Sequence, residues 1–111
     1  MREFIYTQEF MKKWDKIGLS DKDLSDFEEF LLKNPKKGDV MRGTGGLRKV
    51  RWALPDTGKS GGIRVLYIDM VMCGELFVID FFTKGEKDNL TSGEKQVIKK
   101  FIEREIKKKR G

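Results

Sequence analysis

Apolar and polar positions along the chain follow two periods in turn, and the switch between them marks out the elements. Residues 2–6 (REFIY) are a short apolar run that predicts a first strand. Phe10, Trp14 and Ile17 then recur at helical spacing, with Thr7 placed to cap the helix and Gly18 to end it. Leu24, Phe27, Phe30 and Leu31 line one face of a second helix. It opens on the capping-box sequence Ser20-Asp21-Lys22-Asp23 and stops at Asn34-Pro35. Residues 36–46 are rich in glycine and lysine and read as a loop. From Arg48 to Leu54 the period becomes two. Val50, Trp52 and Leu54 share one face, and Lys49 and Arg51 share the other. PDTGKSGG (55–62) is a turn-rich connection. Ile63–Val71 is a β-branched strand, Cys73-Gly74 marks a hairpin, and Glu75–Phe82 (ELFVIDFF) is an apolar strand expected inside the sheet. Thr91-Ser92-Gly93-Glu94 caps a last helix whose apolar stripe is Val97, Ile98, Phe101, Ile102 and Ile106.

The expected order is β-α-α-β-β-β-α. Three successive strands joined by short connections predict a small, mainly antiparallel sheet, so the fold class is α+β. The helices are expected on one face of that sheet, which leaves the other face free to bind. No repeat or linker divides residues 1–111, which read as a single domain.

Composition narrows the chemistry. The chain has no histidine, which excludes imidazole triads, histidine metal ligands and histidine general bases. Its one cysteine, Cys73, permits no internal disulfide, fits a reducing cytoplasm and builds no zinc site of the usual kind. No metal or cofactor is expected. The opening MREFIYTQEF carries charge early and lacks a long apolar run, so neither a signal peptide nor a membrane span is expected. Lys plus Arg is 24 against 18 for Asp plus Glu, a net charge of +6 that suits a polyanionic partner.

The positive charge is concentrated. Between Met41 and Tyr67 stand Arg42, Arg48, Lys49, Arg51, Lys59 and Arg64 against one acid, Asp56, together with six of the chain's twelve glycines. If the strands from Arg48 and Ile63 pair as a hairpin, Arg64 joins Lys49 and Arg51 on one sheet face. Like charges held together cost stability unless an anion is expected, and arginine offers a planar fork for phosphate. Neighbouring cations also favour the neutral form of an amine, which makes Lys49 a candidate general base. Such a group could cleave RNA without metal or histidine, through attack of the ribose 2′-hydroxyl on the adjacent phosphate. A solvated basic face that only binds polyanions is the plainer alternative. Lys84 and Lys87, beyond the last strand, could complete the cluster. GTGGLRK and GKSGG lack the spacing of a nucleotide-binding phosphate loop.

The runs GDVMRGTGGLRKVRWA, GKSGGIRVLYI and FVIDFFTKGEKDNLT, in that order, resemble the RelE/HigB-like toxins of bacterial type II toxin–antitoxin modules, most closely the HigB-like branch. The resemblance spans most of the chain. It implies a RelE-like α+β fold and a ribosome-dependent mRNA endoribonuclease acting in the ribosomal A site. It also implies a cognate antitoxin, often a helix-turn-helix DNA-binding protein. The family's K-x-[KR] pattern falls on Lys49 and Arg51, its R-x-x-Y on Arg64 and Tyr67, and its last cationic segment on Lys84 and Lys87. These imply Arg64, Lys84, Lys49, Arg51 and Lys87 as catalytic residues with Tyr67 at the RNA, and the neighbouring cations Arg48, Arg42 and Lys59 are expected to touch RNA as well. Phe81 and Phe82 stand where this branch would carry a tyrosine near the end of the last strand, which leaves the identity of base and acid open. The competing classes are a catalytically inactive RNA- or ribosome-binding protein of the same fold and a subunit whose basic face docks an antitoxin.

Overall fold

The structure is a computed structural model that describes residues 2–53, 62–83, 86 and 89–110. Lys59, Lys84 and Lys87 lie outside the described residues. The elements run β1 (Glu3–Tyr6), α1 (Gln8–Lys16), α2 (Asp21–Lys33), β2 (Asp39–Val40), β3 (Arg48–Trp52), β4 (Ile63–Met70), β5 (Glu75–Thr83) and α3 (Ser92–Arg110). The caps form where the sequence places them. Thr7 accepts from Phe10 N at 3.1 Å. Ser20 and Asp23 make the reciprocal capping box of α2. Thr91 and Glu94 do the same for α3, with bonds of 2.9 and 3.1 Å.

The five strands form one mixed sheet in the order β1-β5-β4-β3-β2. Only β1 pairs in parallel, against β5; the other ladders are antiparallel. The fold is therefore α+β and mainly antiparallel, with one strand more than expected. Asp39 and Val40, within the stretch read as a loop, pair with Lys49 and Arg48 as an added edge strand. A two-residue strand has no period to reveal it. Gly62 makes the entry to β4 possible. Its φ is +62°, and a Cβ there would lie 2.2 Å from the Trp52 carbonyl oxygen.

The helices do not share one face, and this corrects the layer arrangement expected above. Phe10, Trp14, Phe27 and Leu31 of α1 and α2 pack on Val50, Val65, Tyr67, Val78 and Phe81. Ile102 of α3 packs on the opposite face, against Leu66, Ile68, Phe77 and Phe82. The reason lies in β4, which is apolar in both parities. Ile63, Val65 and Tyr67 form one row, and Leu66, Ile68 and Met70 the other, so both faces need cover. A bulge does the same for β5. Leu66 pairs with Asp80 but Tyr67 pairs with Val78, so Ile79 is the extra residue. The shift turns Phe81 towards α1 and Phe82 towards α3.

Among the described residues, the outer edge of β5 beyond Val78 has no strand partner, and α1 covers it. Thr7 N donates to the Val78 carbonyl at 3.2 Å. Lys13 Nζ donates to the Phe81 carbonyl at 2.9 Å and pairs with Asp80 at 2.9 Å. A paired or covered edge offers no template for another strand.

Candidate nucleic-acid interface

The part of the α3 face that the helix leaves open is the cationic part. Lys49 and Arg51 lie two apart on β3, and the register sets Arg51 directly opposite Arg64. Residues opposite one another across an antiparallel pair project from the same face. Rows therefore cross the sheet as Arg51–Arg64–Phe82 and Asp39–Lys49–Leu66–Asp80. The expected grouping of Lys49, Arg51 and Arg64 is present. These three, with Lys37, Asp39 and Val50, line a depression of about 300 Å³.

Arg64 is 8% exposed, whereas Arg51 is open to solvent and Lys49 half-buried. A guanidinium sunk into an apolar strand beside a second one is costly unless acceptors or an anion neutralise the charge. The arrangement gives a buried fork on β4, a second, solvent-exposed fork opposite it on β3, and an ammonium two positions along. That set can grip a phosphate from more than one side.

The structure does not bring every candidate to this depression. Tyr67 is 0% exposed and sits on the α1/α2 face, so an RNA contact is corrected to a structural role. Its hydroxyl donates to the Pro35 carbonyl at 2.8 Å and accepts from Gly38 N at 3.1 Å. Burial above all pushes the phenol's pKa up, against the lowering effects of the Gly38 bond and the Arg48 charge. Arg48 has the same parity as Tyr67, its register partner, and points away from Arg51 and Arg64. It donates to the Gly38 carbonyl at 2.7 Å and to that of Lys36 at 3.3 Å. Arg42 is exposed in the turn beyond β2, past the end of β3 remote from Arg51.

Two lining residues escaped the sequence reading, Lys37 and Asp39. Both lie in the segment taken as loop. The signal available was Gly38, flanked by Lys37 and Asp39. Its Cβ would stand 3.0 Å from the Lys49 carbonyl oxygen and 3.0 Å from a Tyr67 ring carbon, so a close backbone approach requires glycine there.

The family model for the RelE toxin of the RelE/RelB toxin–antitoxin system matches residues 1–110, and the chain belongs to that family. Solved structures share the fold. A chain of the intact E. coli RelBE toxin–antitoxin complex superposes with a TM-score of 0.55 at 18% identity, covering 75% of this chain and 96% of that one. The isolated E. coli RelE toxin gives 0.55 at 16%, over 91% and 99%. A free E. coli RelE carrying two arginine-to-alanine changes gives 0.54 at 18%, over 78% and 86%. Among the described residues, no helix is long and apolar enough to cross a membrane.

Proposed function

We propose that this chain is the toxin of a type II toxin–antitoxin module and that it stops translation in the cytoplasm by cutting mRNA in the ribosomal A site. The observation that carries this is the cross-strand pair Arg51 and Arg64 beside Lys49, held at the rim of one depression in a RelE-family chain. The reaction needs no metal. The ribose 2′-oxygen loses its proton and attacks the neighbouring phosphorus. Arg64 and Arg51 stabilise the charge that builds on the phosphoryl oxygens, and a protonated amine supplies the proton that the departing 5′-oxygen takes. Lys49, which lines the depression, is proposed to move a proton, and Lys84 and Lys87 are proposed to complete the catalytic set. Lys59 is proposed to meet RNA, as is Arg42, which lies in the turn beyond β2. A cognate antitoxin, expected to bind DNA through a helix-turn-helix, would hold the toxin silent.

The test is cleavage of mRNA on purified ribosomes, mapped by primer extension, for the wild type and Arg64→Ala. Ribosome-dependent cuts that vanish in the variant, with antitoxin binding retained, are the expected result. Phe81 and Phe82 are buried and carry no hydroxyl, so neither can serve as the acid or base. If the antitoxin-free wild type binds ribosomes with a steep salt dependence and cuts nothing, the protein is an RNA-binding member of the fold without the chemistry.

A further inference from the structure

Asp39 is the only carboxylate among the described residues lining the depression; three of the others are Lys49, Arg51 and Arg64. It works against the obvious purpose of the site, because a carboxylate repels the phosphates that the arginines attract. Its backbone is nevertheless held in place by several contacts. Its strand β2 pairs it with Lys49. The residue before it is fixed by Tyr67 and Arg48, which bond the Gly38 nitrogen and carbonyl from the far side of the sheet. Among the described residues its carboxylate forms no ion pair.

A carboxylate set at the exposed rim of a phosphate site is of use when the substrate brings a proton donor with the phosphate. RNA does. The 2′-hydroxyl sits on the ribose carbon adjacent to the one bearing the 3′-phosphate, so a phosphate gripped by Arg51 and Arg64 brings that hydroxyl into the depression that Asp39 lines. We propose that Asp39 is the proton acceptor for the 2′-hydroxyl, an inference that rests on the mRNA-cleaving reading above. The O2′–H proton passes to the Asp39 carboxylate as the O2′–P bond forms. The P–O5′ bond breaks, and O5′ takes a proton from the Lys49 ammonium. The products are a 2′,3′-cyclic phosphate and a 5′-hydroxyl, and solvent returns the two protons to their starting places. Among the described residues, the charged groups lining the depression with Asp39 are Lys37 from its own segment, Lys49 and Arg51 from β3, and Arg64 from β4. Arg48 projects from the opposite face, and β2 ends the sheet on the other side.

The experiment compares single-turnover cleavage by the wild type, Asp39→Asn and Asp39→Glu on programmed ribosomes. The range is about pH 6.5 to about 9, with RNA affinity measured in parallel. Asp39→Asn is expected to be slower by roughly 100-fold or more near neutrality, as for loss of a general base. Its RNA affinity should be unchanged or tighter, since a negative charge is gone. Hydroxide must then take the proton, so the ratio of wild-type to variant rate should fall by about tenfold per pH unit. Asp39→Glu should keep the wild-type profile at a lower rate. A constant ratio across the range, or an Asn variant as fast as the wild type, overturns the assignment and leaves the mRNA-cleaving reading intact. A wild type that cuts nothing overturns both.

Discussion

The Tyr67 hydroxyl accepts a hydrogen bond from the Gly38 nitrogen at 3.1 Å, joining the core of one sheet face to the rim of a depression on the other. Tyr67 is buried among α1 and α2, yet the backbone it holds leads directly into Asp39. Its second bond, to the Pro35 carbonyl, fixes the other end of the same turn. Arg48, its register partner, adds two bonds to that turn. Two residues expected at the RNA are in this fold a clamp on the segment that carries Lys37 and Asp39.

Removing only the phenol oxygen tests the clamp. Tyr67→Phe leaves the Gly38 nitrogen and the Pro35 carbonyl short of a partner, so stability should drop by roughly 1–3 kcal/mol. Urea unfolding measures this. Cleavage at equal folded fraction should fall too, while RNA affinity stays near the wild-type value. Weakened RNA binding at full stability would put Tyr67 back at the nucleic acid.

Arg51 and Arg64 face each other as like charges, and the pair differs in exposure. Arg51→Gln should therefore leave the fold in place and remove one phosphate contact. The slope of log affinity against log salt for RNA should shrink by about 0.7–0.9, the share of one neutralised phosphate. Filter binding over a salt series gives the number. An unchanged slope would mean that the exposed member of the pair does not touch the backbone.

Much of this was legible in the sequence because it is local. Thr7, Ser20 and Thr91 announce three helix starts through side chains that bond within one turn. Lys49, Arg51 and Arg64 could be grouped from strand parity and one assumed hairpin. The sides taken by the helices were not legible, because a helix stripe records only that it is buried, not against which face. The apolar residues in both parities of β4 were the usable clue. The bulge at Ile79 resets parity within β5 and follows from no residue type in that strand. Asp39 stayed hidden because its partner sits ten residues on, across a turn, in a strand too short to alternate.

The tyrosine on β1 predicts the alkaline limit of the fold. Burial first, then the hydrogen bond to Glu28 and its charge, raise the Tyr6 phenol above its ordinary value of 10.0. The unfolded chain releases this proton near that ordinary value and the folded chain keeps it. The contribution of Tyr6 is thus complete below about pH 10 and is lost as pH climbs through the folded value. Tyr6→Phe should cost roughly 1.5–3 kcal/mol at neutral pH, as for a hydrogen bond to a charged acceptor. The gap between wild type and variant should narrow above about pH 10 in urea melts. A gap that stays constant to strongly alkaline pH would show that the phenol titrates alike in both states.

The close approach at Gly38 ties the placement of β2 to catalysis in one substitution. A methyl group there would meet the Lys49 carbonyl and the Tyr67 ring at 3.0 Å each, and neither is the loose end of a flexible chain. Gly38→Ala must therefore lift the Lys37–Asp39 segment away from β3, with an overpacking cost of roughly 1–3 kcal/mol. Arg51 and Arg64 belong to β3 and β4 and should keep their positions, so affinity for RNA should survive. Single-turnover cleavage at equal folded fraction should fall, because the proton acceptor has moved from the phosphate site. Gly93→Ala is the matched control: its nearest neighbour is Thr91 Oγ1 at 4.0 Å, and a methyl group in α3 should cost nothing. Equal cleavage by the two alanine variants would separate β2 from the chemistry. Loss of RNA affinity in Gly38→Ala alone would instead make the edge strand part of the binding surface.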